Sequence, residues 1–272
     1  WNTNLVFSRV RQTITDLPIP PYWLTAPSGD VNAVFIQQGT TYGAIFGQRH
    51  VTTLAVMANQ LPEGKTISDY EVNNQGYVIP AGTQGTTGET LIVEKNADGT
   101  NWVGQIGDAN AKFNLGIANT FNYKGIQLYV LIDWKNGGDV YNANQQRLAF
   151  NNFSFHQDVS GKPENEKKWA GYWGSNAGFY NANISTQYWV EDASYLKLRE
   201  VAIGYSLRGK ALEGFLKGAI KGIELKAVGR NLFTFTKYSG YDPEVGTILQ
   251  PIDGIGANPI YRTMAISLGF TL

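Results

Sequence analysis

The sequence predicts an all-β chain whose longest strands have the pattern and length of an antiparallel membrane barrel. Composition is the first observation in favour of this class. Aromatic residues make up 13% of the chain and Gly accounts for 31 residues, while charged residues are only 16%. An ordinary soluble domain has about 25% charged residues. Strands joined by tight turns suit this composition better than helices do.

The clearest predicted strand is the last one, over residues 262–272. Apolar side chains occupy every second position, and the positions between them are small or polar but uncharged. This period of two is the signature of a strand. The length matches the ~9–11 residues of a tilted membrane strand and exceeds the ~5–6 residues of an average strand. The apolar positions are Met264, Ile266, Leu268, Phe270 and Leu272.

The same alternation predicts a hairpin over residues 113–123 and 126–134, since only Lys124 and Gly125 separate the two runs. Two further strands are predicted at 201–207 and 223–228. The charged residues of the second strand, Glu224 and Lys226, are two positions apart and therefore lie on the same face. A charged row beside an apolar row suits a membrane wall, because Lys or Arg facing lipid at mid-depth costs about 2–4 kcal/mol. A soluble sheet with one wet face would give the same alternation.

Aromatic positions and connection lengths discriminate between these two possibilities. Aromatic residues cluster near the predicted strand ends, where membrane barrels carry interfacial girdles. Short and long connections also alternate along the chain, as they do in outer-membrane barrels. We therefore expect long extracellular loops at residues 52–108, 135–190 and 236–261.

The first third of the chain is less regular. Residues 1–10 and 41–51 are predicted as strands, with four prolines between them that break regular pairing. A small hairpin is expected near residues 90–94. About seven candidate strands result, which are too few to close a polar-lumened barrel, so we expect the rest of the wall to lie outside these 272 residues.

Charge and composition exclude several classes of partner. Lys+Arg and Asp+Glu are equal at 22 each, so nucleic acid is not an expected partner. The chain has no Cys and only two His, His50 and His156, so we expect neither disulfides nor a metal site. No apolar run approaches the ~18 residues of a membrane helix. No cofactor is expected.

Three carboxylate pairs are the candidate catalytic groups of this sequence. These pairs lie in predicted loops or at the rim, where solvated turn chemistry explains them better than acid–base catalysis does. A Gly-rich stretch at 82–88 lacks the Lys and the strand-to-helix context of a phosphate loop. The chain is therefore not predicted to be an enzyme. The pairs are Glu164 with Glu166, Glu191 with Asp192, and Asp242 with Glu244.

One aromatic patch in the predicted loop 135–190 is a candidate binding surface. Exposed aromatics spaced by Gly and Asn could stack on sugar faces or anchor a partner protein. The alternative is that they pack the loop onto the rim of the barrel. The patch comprises Trp169, Tyr172, Trp173, Phe179 and Tyr180.

Six segments, in order, resemble motifs of one known family, among them Gly-Gly-Asp-Val-Tyr-Asn at 137–142 and Gly-Tyr-Asp-Pro-Glu-Val at 240–245. Ala111 stands where the family usually has Pro, and Ala193 where it has Gly. The chain resembles the C-terminal part of SusC/RagA-type TonB-dependent outer-membrane transporters of Bacteroidota. The complete set is 42–47, 106–113, 119–125 with 133–142, 190–199 with 204–205, 229–234 and 237–245.

The resemblance implies a 22-stranded barrel in the outer membrane that is filled by an N-terminal plug and capped by a SusD-like lipoprotein. Such transporters import oligosaccharides or peptides and are driven through TonB. This chain would form the C-terminal part of the wall and its outer loops, in contact with the lipid bilayer. The plug and the TonB-binding segment would lie elsewhere. The alternative from another class is a soluble β-sandwich that binds carbohydrate.

Overall fold

The computed structural model describes residues 1–24, 31–208, 212, 219–254 and 256–272. Strands dominate this part of the chain, and the helices in it are short. The strands are β1 (Asn2–Ser8), β2 (Tyr22–Trp23), β3 (Phe35–Ile36), β4 (Ala44–Gly47), β5 (Tyr70–Val72), β6 (Val78–Pro80), β7 (Gly104–Asp108), β8 (Phe113–Tyr123), β9 (Ile126–Asn136), β10 (Asp139–Tyr141), β11 (Val190–Asp192), β12 (Tyr195–Arg208), β13 (Gly222–Thr236) and β14 (Thr263–Thr271). The helices are α1 (Leu54–Ala58), α2 (Ala143–Phe150) and α3 (Ala170–Gly174).

Six of the strands form one antiparallel sheet, in the order β1-β8-β9-β12-β13-β14. β8 and β9 are joined by the predicted two-residue turn, in which Lys124 has φ 46° and Gly125 has φ 85°. Two consecutive positive φ values are those of a type I′ hairpin, whose twist matches that of the strands. The predicted hairpin is therefore confirmed.

Pairing in this sheet brings the alternating apolar residues onto one face. Leu128 pairs with Ile203, Ile203 with Ala227, and Ala227 with Ile266, and directly paired residues share a face. Ile266 is 79% exposed, as no second sheet covers this face in the described residues. A β-sandwich would have buried these side chains, so the structure does not support the sandwich alternative. We call this the apolar face.

Two paired bulges interrupt the sheet near one end. Relative to β9, strand β12 contains one extra residue, Arg199. Opposite it, β13 contains two residues, Asn231 and Leu232, and Asn231 has φ 52°. Asn tolerates this left-handed conformation better than other residues with a side chain, apart from Asp. After the bulge the two strands continue in phase, so their apolar residues return to the same face.

The sheet does not close into a barrel within the described residues. β1 pairs only with β8, and β14 only with β13, so the sheet has two free edges in this part of the chain. The fold is all-β, as predicted, but the 22 strands implied by the resemblance are not seen in this chain. Among the described helices, none combines the length and apolar character needed to cross a membrane.

The long connections leave the sheet at one end and fold together into a second body, which we call the head (residues 31–112, 137–194 and 237–254). The predicted loop 52–108 contains α1, the β5–β6 hairpin and β7, and loop 135–190 contains β10, α2 and α3. β4 falls within the predicted strand 41–51. At 90–94 only a single bridge forms, between Val93 and His50, instead of a hairpin.

Candidate functional site

The candidate aromatic patch lies mostly inside the head. Tyr172 and Phe179 are 0% exposed and Trp173 is 4% exposed, whereas Trp169 and Tyr180 are half-buried. The expectation that these rings are exposed is therefore wrong for Tyr172, Phe179 and Trp173. They pack against residues from distant parts of the chain, such as Ile79 and Ile252. The rings form a core between loops instead of a surface.

Hydrogen bonds fix two of these rings, those of Tyr172 and Trp169, in position. The amide of Asn73 donates to the Tyr172 hydroxyl at 2.9 Å. Trp169 Nε1 donates to the carbonyl of Glu89 at 3.0 Å. Burial raises the pKa of Tyr172, so its hydroxyl stays protonated. These bonds join residues 73–89, which include β6 and the stretch after it, to the segment that carries α3.

A buried ion pair joins the same two segments. The side chains of Lys168 and Glu89 form a salt bridge and are 1% and 0% exposed. Glu89 also accepts hydrogen bonds from the Gly85 amide at 2.7 Å and from Asn73 at 2.9 Å. These extra donors matter because a buried pair compensates for desolvation only when its remaining lone pairs are bonded. Sequence inspection missed Glu89 altogether.

A second charge network lies on the other face of the sheet, opposite the apolar face. Lys197 Nζ lies 2.6 Å from Asp242 Oδ1 and also contacts Glu244. Arg199 bridges Glu244 to Asp133 on β9, with an Nη2–Oδ2 distance of 2.6 Å. The network therefore fastens the loop after β13 to the sheet. We call these five residues the rim network.

The rim network changes the interpretation of one carboxylate pair. Asp242 is 7% exposed, so the predicted solvated turn at 242–244 is wrong for this residue. Burial raises the pKa of Glu244, but hydrogen bonds from Arg199 and Lys197 outweigh it and lower the pKa to about 2. Both carboxylates are held by cations, an arrangement that suits attachment of a loop.

Three of the segments that resemble family motifs meet where the head joins the sheet. The Asp139 carboxylate accepts from the Asp108 amide at 2.8 Å, which links two motifs. The Ala193 amide donates to the Gly138 carbonyl at 2.8 Å, which links a third. Gly138 has φ 84°, and a Cβ there would lie 2.8 Å from a backbone oxygen. The motifs are therefore explained by local architecture.

Neither histidine belongs, within the described residues, to a group of side chains that could hold a metal ion. Burial lowers the pKa of His50 to about 4, despite a backbone hydrogen bond involving Gly178 that raises it. His156 stacks on Trp173 with ring centroids 5.0 Å apart, and burial lowers its pKa as well. In the described ranges, no group of three or more His, Asp or Glu side chains is arranged to hold a metal ion.

A cavity of roughly 350 Å³ opens on the head beside α3. One wall comes from the β5–β6 hairpin and the other from the segment before α3. Trp173 and Lys168 lie at its buried end, and the remaining lining residues are partly or fully exposed. The full lining is Asn74, Gln75, His156, Lys162, Asn165, Glu166, Lys168 and Trp173.

Comparison with known proteins gives consistent relatives, although no family model matches the chain. TonB-dependent receptors P3 and P39 of Formosa agariphila are 26% and 28% identical over 90% of the chain. TonB-dependent receptor SusC of Bacteroides thetaiotaomicron is 34% identical over 87 residues, 32% of the chain and 8% of that relative. The chain spans about a quarter of the length of the first two relatives, 23% and 26%.

Solved structures show the same fold. The RagAB peptide importer in its closed-closed state matches with a TM-score of 0.57 at 17% identity, over 98% of this chain and 26% of that one. A second RagAB peptide transporter structure matches with a TM-score of 0.55 at 17% identity, with the same coverage of both chains. The sequence relatives and the fold together confirm the resemblance that the motifs indicate.

Proposed function

Since the chain resembles the C-terminal part of SusC/RagA-type TonB-dependent transporters, we propose that it forms part of the wall of a 22-stranded barrel in the outer membrane. On this proposal the whole transporter imports nutrients, and the head faces the cell exterior. The plug and the TonB-binding segment belong to the remainder of the same protein. A SusD-like lipoprotein covers the outer opening.

The observation that carries this proposal is a pair of aromatic bands that border the apolar face. Phe113 and Tyr123 mark the two bands on β8 and lie about 33 Å apart along the strand, at about 3.3 Å per residue. A tilt of about 35–45° reduces this to about 23–27 Å, the height of the lipid-facing band of a barrel. The outer band is Phe7, Phe113, Trp134, Phe233 and Phe235, and the inner one is Trp1, Phe121, Tyr123, Tyr205 and Phe270.

The opposite face supports a wet interior. Its residues on the central strands include Gln127, Asp133, Glu224 and Lys226, and it also carries the rim network. The charged residues lie on this face, and none of the described residues at lipid-facing positions between the bands is charged. This arrangement avoids the cost of burying a charge in hydrocarbon. This division is what a solute channel requires.

The imported solute is proposed to be an oligosaccharide or a peptide. The RagAB relative is named as a peptide transporter, which favours a peptide. Among the aromatic patch residues, Trp169 and Tyr180 remain accessible enough for substrate or partner contact, and Tyr180 stacks on the exposed ring of Phe150 at 4.5 Å. Tyr172, Trp173 and Phe179 support that surface from below.

Site-specific fluorescence tests the proposal. The chain has no Cys, so Ile266→Cys and Ser267→Cys each introduce one thiol here, in a full-length transporter cleared of other cysteines. A bimane label at position 266 should be quenched by nitroxide-labelled lipid because that side chain faces hydrocarbon. A label at position 267, at the same depth, should resist quenching. Equal quenching at both positions, or none at either, would refute the membrane wall.

A further inference from the structure

The turn between β8 and β9 carries a lysine where the backbone disfavours one. Lys124 has φ 46°, and the other described residues with a side chain at positive φ are both asparagines, Asn152 and Asn231. Asn followed by Gly is a favoured pair for a type I′ turn, because Asn tolerates the left-handed conformation. Lysine gains nothing from this backbone. A residue that breaks the local rule in this way indicates a role for its side chain outside the turn.

The side chain of Lys124 extends over an aromatic ring of the inner band. Its Nζ lies 5.3 Å from the centroid of the Tyr123 ring, which is 68% exposed on the apolar face. This cation–π contact holds the ammonium on that side of the sheet. No carboxylate lies within ion-pair distance of Lys124 in the described residues. The charge is exposed, so an anion from outside the chain can reach it.

An open recess lies beside this lysine, because β12 continues beyond the turn. Tyr205 pairs with Ile126, the first residue after the turn, and β12 extends past this pair to Arg208. The step leaves a recess of roughly 370 Å³ between the turn and the end of β12. Two cations line it, Lys124 and Arg208, and both are exposed. Glu224, on the opposite face, is the one carboxylate among the described lining residues, so cations outnumber carboxylates there.

We propose that Lys124 binds the phosphate of a phospholipid headgroup at the inner surface of the membrane, with Arg208 as the second cation. The inference rests on the proposed function and deepens it by naming a lipid partner of the wall. On that proposal the inner band lies at the lipid–water boundary, where Tyr rings mark the headgroup level. A lysine one residue beyond the band reaches that level with its charged end, while its methylene groups cover apolar surface.

The surroundings favour a lipid over a free anion. Tyr123, Ile126 and Tyr205 are 68%, 46% and 46% exposed and present apolar surface next to the two cations. A phospholipid contacts both parts at once, since its phosphate pairs with the cations and its acyl chains cover the apolar side chains. Inorganic phosphate gains only the first contact. The site should prefer a headgroup with a net negative charge, such as that of phosphatidylglycerol, because the choline of phosphatidylcholine compensates the charge of its own phosphate.

Fluorescence quenching in vesicles tests the inference. A full-length transporter cleared of other cysteines receives Ile126→Cys beside Lys124, or Ile266→Cys at mid-strand as the control, and each thiol is labelled with bimane. Nitroxide-labelled phosphatidylglycerol and nitroxide-labelled phosphatidylcholine are compared as quenchers, each diluted equally into unlabelled phosphatidylcholine. We expect about fivefold enrichment of phosphatidylglycerol at position 126, the preference that one basic residue at a membrane surface confers, and none at position 266.

Two results would overturn the proposal. One is equal quenching by the two lipids at position 126. The other is loss of the preference when inorganic phosphate replaces chloride at constant ionic strength, because the recess would then bind the free anion and not the lipid.

Substitutions at Lys124 separate lipid binding from the turn itself. Lys124→Asn removes the charge but suits the left-handed conformation better, so the transporter should fold at least as well and lose the fivefold preference. Lys124→Arg keeps the charge and should keep the preference. Lys226→Gln removes a cation from the opposite face and should also keep it. A full preference in Lys124→Asn would show that this lysine serves only the turn.

The label at position 266 distinguishes failure of this inference from failure of the proposed function. A membrane wall requires both lipids to quench that label, whatever happens at position 126. Quenching at position 266 without a lipid preference at position 126 would overturn the inference alone. No quenching at either position would count against the membrane wall, and the inference would fall with it.

Discussion

Lys197 places a buried positive charge at the rim, where the carboxylates of Asp242 and Glu244 neutralise it. Its side chain is 3% exposed. Lys197→Met leaves these carboxylates short of a partner, and breaking a buried pair in this way costs about 3–5 kcal/mol. We expect faster hydrogen exchange in the loop that carries Asp242 and a lower free energy of unfolding. Unchanged exchange in that loop would contradict the attachment role of the rim network.

The matched control is an ion pair at the surface of the same strands. Arg230 and Glu200 lie 2.8 Å apart, but the Arg230 side chain is 59% exposed. Exposed pairs contribute about 0–1 kcal/mol because water and salt screen them. Arg230→Gln should therefore lower the free energy of unfolding far less than Lys197→Met does.

Acid should detach the same loop. Glu244 has an ordinary pKa of 4.5, and in the folded protein the pKa is lowered to about 2. A carboxyl group with a depressed folded-state pKa contributes stability that is complete above about pH 4.5 and is lost as pH falls toward 2. Protection factors of the amides in residues 237–254, which correct for the intrinsic pH dependence of hydrogen exchange, should fall within that window between pH 7 and pH 2. Glu244→Gln should remove this component, and an identical pH profile in the variant would argue against it.

Individual strands differ in how well the sequence predicts them. β14 alternates without interruption, and β8 and β9 alternate almost throughout, with Asn119 as the exception within β8, so the sequence predicts their parity and places their ends within two residues. For β12 and β13 the alternation predicts only residues 201–207 and 223–228, because the bulges at Arg199 and Asn231 interrupt it. A bulge depends on how two strands pair. The sequence of either strand alone therefore does not show which residue will have no partner on the neighbouring strand.

Asn231 provides a test of the bulge at the level of the strand. Its φ of 52° is left-handed, and its side-chain amide donates to the Tyr261 carbonyl at 3.0 Å. Asn231→Val should destabilise the β12–β13 pair by about 1–2 kcal/mol, because a β-branched residue fits this conformation poorly. Asn231→Gly should be tolerated better, since Gly adopts positive φ freely. Denaturant unfolding of both variants measures the difference, and equal losses would point to the lost hydrogen bond instead.

The sequence predicts the structure of the head less well than that of the sheet, for a physical reason. Its core is made by contacts between segments far apart in the chain, such as Lys168 with Glu89 and Tyr172 with Asn73. Each segment has the Gly, Asn and Thr content of a loop, and local composition does not show which loops will cover one another. Aromatic residues that suggested a surface patch became the shared interior. A clue was available in their density, since so many rings rarely remain in solvent together.

At the scale of the whole molecule, the main feature is that the six-stranded sheet has two unpaired edges in the described residues. β1 and β14 each leave one edge without a strand partner in the described residues. Unpaired backbone groups in hydrocarbon cost several kcal/mol each, so the proposed function requires further strands to pair with these two edges. The chain matches only about a quarter of the length of the two Formosa agariphila relatives, which is consistent with this requirement.

Charge placement on β14 tests the orientation of the complete wall. Ile266 lies near the middle of the strand on the apolar face, and Ser267 points to the opposite face at nearly the same depth. Ile266→Lys should cost about 2–4 kcal/mol in the membrane and reduce the fraction of full-length transporter that folds into phosphatidylcholine vesicles. Ser267→Lys should fold like the wild type, because its ammonium reaches a wet interior. The folded fraction of each variant is measured from the shift in gel mobility between heated and unheated samples. If the two lysine variants folded equally well, neither face of β14 would contact lipid.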